Sequence, residues 1–219
     1  MKPQRWLGIA SIALFSTSAF SQISPSGGMY SFKMKLTKGQ KISYVSKTTI
    51  ATGGMKPIEM PLTMQCTDVK GDVYTVKYSV GAIMGQKPQD ITMKINSKGE
   101  IVEGKGAASQ MTGMGATSLP KKPIKIGQSW TATVDSPSMG GTMKVTSTYT
   151  FKSVKNVGGR QVAEIGLKMT GSGANGMKVS GTGNLLLSIA DASMAGMNLD
   201  MKTGVGGQSF DMKMVVTRK

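Results

Sequence analysis

Histidine is absent from this 219-residue chain. The commonest general base, the Ser-His and Cys-His nucleophile pairs and the commonest transition-metal ligand go with it. A single cysteine, Cys66, has no partner for an intramolecular disulfide, so the fold rests on packing alone. Aromatic residues make up only 5% of the chain. Nucleic-acid surfaces interleave basic residues with stacking aromatics, and this shortage argues against one. No apolar run reaches the roughly 20 residues that a membrane-spanning helix needs.

Acidic residues number 11 against 27 Lys and Arg, and only four are Glu. A carboxylate pair for glycoside hydrolysis would have to come from Asp68, Asp72, Asp90, Asp135, Asp191, Asp200 and Asp211. Most of these sit in turn-like stretches or beside Lys, where a solvated aspartate is the ordinary reading. The sequence therefore reads as a non-enzyme, with no cofactor.

The N-terminus is organised for export. Lys2 and Arg5 form a short basic region, Leu7 to Phe15 an apolar one, and Ala19-Phe20-Ser21 a small-residue cleavage site. Residues 1–21 are thus expected to be a cleaved signal peptide, placing the protein in the periplasm or outside the cell. Losing Lys2 and Arg5 lowers the formal net charge from +16 to +14. The remaining charge is scattered among Thr, Ser and Gly, which suits a solvated surface or contact with an anionic surface polymer or lipid head groups.

Periodicity sets the fold class. Apolar residues alternate with polar ones in Tyr30–Leu36, Ile58–Cys66, Tyr74–Val80, Ile91–Ile95 and Trp130–Val134. They do so again in Met143–Phe151, Ala163–Met169, Leu185–Ile189, Met197–Met201 and Phe210–Val216. A period of two is that of strands with one buried face. Between them lie Lys70-Gly71-Asp72, Asn96-Ser97-Lys98-Gly99, Asn156-Val157-Gly158-Gly159 and Asn175-Gly176, which tolerate positive φ. The expectation is an all-β chain of about ten to twelve strands in antiparallel meanders, forming an open or half barrel.

Residues 107–122 break the pattern and read as a connector, with room for one short helix near Ala107 to Met111. They divide a first half, 22–106, from a second, 123–219. The halves look alike: Lys38-Gly39-Gln40-Lys41-Ile42 matches Ile126-Gly127-Gln128-Ser129-Trp130, and Val69-Lys70-Gly71 matches Val157-Gly158-Gly159 at the same offset.

Pro123-Ile124-Lys125-Ile126-Gly127-Gln128-Ser129-Trp130, with Tyr149-Thr150-Phe151 and Gly158-Gly159-Arg160 beyond it, resembles a bacterial exported family of unknown function. That family carries a Pro-x-x-Val-x-x-Gly-Asp-x-Trp signature ahead of a β-meander. Gln128 stands where it usually has Asp, and the likeness covers residues 120 to 170. It implies a β fold and no activity.

Three apparent motifs fail on context. Gly99 to Gly106 nearly spells a phosphate-binding loop, but Gly106 replaces the metal-holding hydroxyl and no helix pattern follows. Gly171 to Gly176 has dinucleotide-fingerprint spacing yet joins two alternating strands. Ser118 and Lys121 match Ser-x-x-Lys, but Pro120 interrupts the helix that pairing requires.

Methionine is abundant, 19 in the chain. Met34, Met60, Met64, Met212 and Met214 would suit Cu(I), but they occupy apolar strand phases, as core residues do. Cys66 and Trp130 share such phases and read as a buried thiol and a core anchor. The most economical functional expectation is a non-catalytic envelope protein holding an apolar or lipid-like ligand. The alternatives are a cationic surface interaction module, copper binding through Met, and an outer-membrane barrel.

Overall fold

Alternating side chains and Gly-containing turns produce thirteen strands among the described residues of this computed structural model. Those residues are 23–51, 56–82, 87–104, 118–138, 141–173, 176–205 and 208–219. The strands are β1 (Ile23–Ser26), β2 (Met29–Phe32), β3 (Lys41–Ile50), β4 (Ile58–Lys70), β5 (Val73–Val80), β6 (Gln89–Asn96) and β7 (Ile101–Glu103). They continue as β8 (Ser129–Ser138), β9 (Gly141–Val157), β10 (Arg160–Ser172), β11 (Lys178–Ser188), β12 (Met194–Val205) and β13 (Gln208–Arg218). The signal segment 1–21 and the Ala107–Met111 helix lie outside the described residues, as does the connector up to residue 117.

β1 and β2 form a hairpin; the other eleven strands form one antiparallel sheet in the order β7-β6-β5-β4-β3-β13-β12-β11-β10-β9-β8. Two consecutive meanders, β3 to β7 and β8 to β13, are joined by pairing of β3 with β13, Met212 opposite Ile50 through Arg218 opposite Tyr44. The sheet is open. β7 and β8 stand at its two edges, whereas a membrane-spanning barrel must pair its first strand with its last.

The N-terminal segment shows that the sheet curls. Phe32 packs on Phe151 of β9, with ring centroids 5.2 Å apart, while the carbonyl of Met34 accepts the Tyr74 hydroxyl of β5 at 2.9 Å. β5 and β9 are seven strand spacings apart in the sheet order, about 34 Å if it were flat. Two residues of extended chain span only about 7 Å. The inward face must therefore wrap around β2 and the residues after it.

These residues plug one end. Ile23 donates to the Ile189 carbonyl, Met34 to that of Ser97 and Lys35 to that of Asp191, all in turns at the same end of the sheet. Residues 118–124 join them, with Leu119 donating to Lys98 and Tyr30 exchanging backbone bonds with Ile124. The Lys98 ammonium donates to the carbonyls of Phe32 at 2.6 Å and Pro120 at 3.1 Å.

Two features differ from the sequence expectation. Tyr30–Leu36 alternates as expected, yet only its start is ladder-paired; Met34 and Leu36 are buried on extended chain held by turns. The strand count also exceeds ten to twelve. β1 and β7 are too short to show a period, and β3 places Ser46 and Thr48 inward after Ile42 and Tyr44, which hides its alternation.

The two Gly-Gln turns share one bonding scheme. Gly39, at φ 84°, donates to the Cys66 carbonyl, and the Gln40 side chain accepts the Thr37 N–H at 2.9 Å. Gly127, at φ 90°, donates to the Phe151 carbonyl, and the Gln128 side chain accepts the Lys125 N–H at 2.7 Å. Each facing strand then bulges, at Thr67 in β4 and Lys152 in β9, where the pairing register skips one residue.

Candidate functional site

Inward residues at the plugged end form a continuous core. Ile42, Tyr44, Leu62, Met64, Ile165, Leu187, Leu199 and Val216 are all buried there. Farther along the same strands the inward face stays apolar but loses its cover. Met60, Tyr78, Val80, Leu167, Met169, Met201 and Met214 are only partly buried against the core, and Phe210 is 38% exposed. The sheet thus presents an apolar trough, rich in Met, on its concave side.

Register explains the trough's composition. Met169, Gly181, Met201, Met212 and Ile50 lie side by side across β10, β11, β12, β13 and β3. At Gly181 an added Cβ would come within 3.1 Å of both Met169 and Met201, so the two thioether chains close over the glycine. Met chains are unbranched and adjust to irregular guests at low cost.

The methionines weighed as copper ligands fall in this interior. Met34 and Met64 are core residues, Met60 and Met214 pack against the core, and Met212 lies in the trough row. Among the described residues, no three His, Cys, Asp or Glu side chains group as a metal site. Cys66 is fully buried and its pKa is raised by burial.

Four of the candidate carboxylates pair with cations on the outside. Asp68 pairs with Lys38, Asp72 with Lys33, Asp90 with Lys77 and Asp211 with Lys202. Hydrogen bonds hold four acids below their ordinary range: Val69 N–H for Asp68, Lys77 for Asp90, Asn96 for Glu100 and Lys155 for Glu164. A general acid needs the opposite shift. Asp191 faces inward, near the plug, where its carboxylate accepts Gln40 Nε2 at 3.1 Å and Ser193 Oγ at 2.6 Å and lies 3.7 Å from Arg218. It locks the β11–β12 turn to the end of β13. Ser118 and Lys121 do not form a dyad: the Ser118 carbonyl accepts the Trp130 indole N–H at 2.7 Å, and Lys121 pairs with Glu100.

Trp130 is half-buried, packed against the core and stacked on Tyr149 at 5.2 Å. A concavity of about 420 Å³ lies over β3 and β10–β13, and the trough row Met169, Gly181, Met201 and Met212 is part of its lining. Lys168, Lys202, Lys213, Asp200 and Asp211, from the rows on either side, line it too. Sequence reasoning missed this groove, because its residues meet only through the pairing of five strands.

No protein-family model matches the chain, and no curated protein matches it. Among solved structures it is similar to a Bacteroides fragilis protein inferred to be exported, with a YmcC-like fold. The two share 10% identity at a TM-score of 0.43, over 86% of this chain and 99% of that one.

Proposed function

We propose that this chain is an exported, non-catalytic binding protein of the cell envelope that holds an apolar or lipid-like ligand on the inward face of its sheet. The observation that carries this reading is the uncovered apolar trough: one strand face, continuous with the core, remains partly exposed at Met60, Met169, Met201 and Met214. Exposed contiguous apolar surface is costly to a free protein and marks a binding surface. Export is supported by the basic, apolar and small-residue sequence of residues 1–21. Native mass spectrometry of the chain purified from the envelope fraction tests the reading. A co-purifying lipid is expected; recovery of bare protein that takes up no apolar fluorescent probe would refute it.

A second reading rests on the charged residues at the 420 Å³ concavity. Lys168, Lys202 and Lys213 outnumber Asp200 and Asp211 there, and the surplus positive charge and nearby hydroxyls suit an anionic surface polymer. Salt-sensitive retention on an acidic polysaccharide, lost in Lys168→Ala with Lys213→Ala, would favour it.

A further inference from the structure

Ser46 is a misfit in the apolar interior. It points inward from β3, between Val216 on β13 and Met60 on β4, and is 1% exposed. Its hydroxyl is buried with no hydrogen-bond partner among the described residues. The chain satisfies comparable groups elsewhere. The Ser193 hydroxyl bonds Asp191 and Arg218, and the Tyr74 hydroxyl donates to the Met34 carbonyl. An unmatched buried hydroxyl is destabilising, and this one is left with its hydrogen-bonding capacity for a partner from outside the chain.

Its cover is thin. Met60, directly across the strand pair, is partly exposed in the trough, so one flexible side chain separates Ser46 from the accessible face. Farther along β3 the inward positions are Thr48 and Ile50, beside Met214 and Met212. A polar spot therefore lies at the deep end of an apolar track.

Resting on the reading of the trough as an apolar-ligand site, we infer that the ligand is a single-chain amphiphile with an uncharged hydroxyl or ester head, seated head-inward against Ser46 beneath a displaced Met60. The surroundings select against a charged head. Burial raises the pKa of the Tyr44 phenol, two residues back along β3, and pushes that of Tyr78 on β5 up to about 12, so this stretch of the interior disfavours anions. Arg218 and Asp191, whose charges act on Tyr44, are engaged with each other.

The test uses the mature, lipid-stripped protein and displacement of a bound apolar fluorescent probe by a monoacylglycerol and by the fatty acid of the same chain length. The monoacylglycerol is expected to displace the probe at about tenfold lower concentration. Ser46→Ala should raise the monoacylglycerol concentration needed by about tenfold, the loss of one hydrogen bond, while leaving binding of the probe itself unchanged. Equal displacement by both compounds in the wild type, or monoacylglycerol displacement that Ser46→Ala does not weaken, overturns the head-inward assignment and leaves the apolar trough standing. Failure of the probe to bind at all removes the trough reading and this inference with it. Melting of the stripped protein gives an independent check: Ser46→Ala should raise Tm by deleting an unsatisfied hydroxyl. A lower Tm would show that Ser46 has a structural partner and would also overturn the assignment.

Discussion

Phe32 meets Phe151 edge-on, ring centroids 5.2 Å apart and planes at 90°. This contact ties the N-terminal plug to the second meander, and both rings are fully buried. Phe32 also packs 6.1 Å from Trp130, so it sits at the centre of an aromatic cluster in a chain with few aromatics.

Phe32→Ala is therefore expected to cost about 3 to 5 kcal/mol, as for other buried Phe truncations. In a protein with no disulfide, that is a large part of the total stability. Urea unfolding of the variant measures it. A loss below about 1 kcal/mol would mean that the plug contributes little to the fold.

The paired turns give a second expectation. Gln40 and Gln128 each accept a backbone N–H three residues back, closing a turn whose Gly has positive φ. Gln128→Ala removes one exposed hydrogen bond, worth about 1 kcal/mol, whereas Gln40→Ala also removes the bond from Gln40 Nε2 to the Asp191 carboxylate and should cost more. Glu at 128 keeps an acceptor and should recover most of the loss, whereas Glu at 40 would set a second carboxylate against Asp191 and should not. Chemical denaturation of the four variants measures the differences, and equal losses for the two Ala variants would mean that the Gln40–Asp191 bond contributes nothing.

The sequence made the strand phases legible because inward positions are overwhelmingly apolar: Ile58 to Cys66 and Met197 to Met201 face inward as their alternation requires. Gly39 and Gly127 could be matched from residue type alone, since only a shared φ demand repeats Gly-Gln at such a turn. Curvature was not legible. It depends on which strands the plug touches, and no local pattern encodes the meeting of Phe32 with Phe151. Ser46 was hidden for the opposite reason: an inward serine erases the very alternation that would have revealed β3. The extent of the trough follows from how far the plug reaches, again a tertiary property.

Alkaline titration tests the burial of the inward phenols. Tyr44 and Tyr78 have raised pKa values chiefly because burial disfavours the phenolate, Tyr78 reaching about 12 from the ordinary tyrosine value of 10.0. A raised folded pKa means that the native state holds the proton more tightly than the unfolded chain does. The stabilisation is complete below about pH 10 and is lost as pH climbs toward 12. Phenolate absorbance should therefore lag in the folded protein and appear together with unfolding. Smooth ionisation near pH 10 without unfolding would place these phenols in water.

Gly183 tests the close pairing that shapes the trough. It lies on β11 opposite Leu199 of β12, and a Cβ there would clash with the Asn198 carbonyl oxygen and fall 2.9 Å from the Leu199 Cα. Both obstacles are backbone, so no side-chain rotation relieves them and the two strands would have to separate. Gly204, on β12 toward the other end of the same strand pair, offers a control, because its added Cβ would meet nothing closer than 3.5 Å. Gly183→Ala should cost several-fold more stability than Gly204→Ala in matched thermal melts, with overpacking of about 1 to 3 kcal/mol as the scale. Since both variants remove the same flexibility from the unfolded chain, the difference isolates the steric term. Equal melting temperatures would show that β11 and β12 are not paired as closely as this register requires, and the row Met169, Gly181, Met201 that floors the trough would lose its geometric basis.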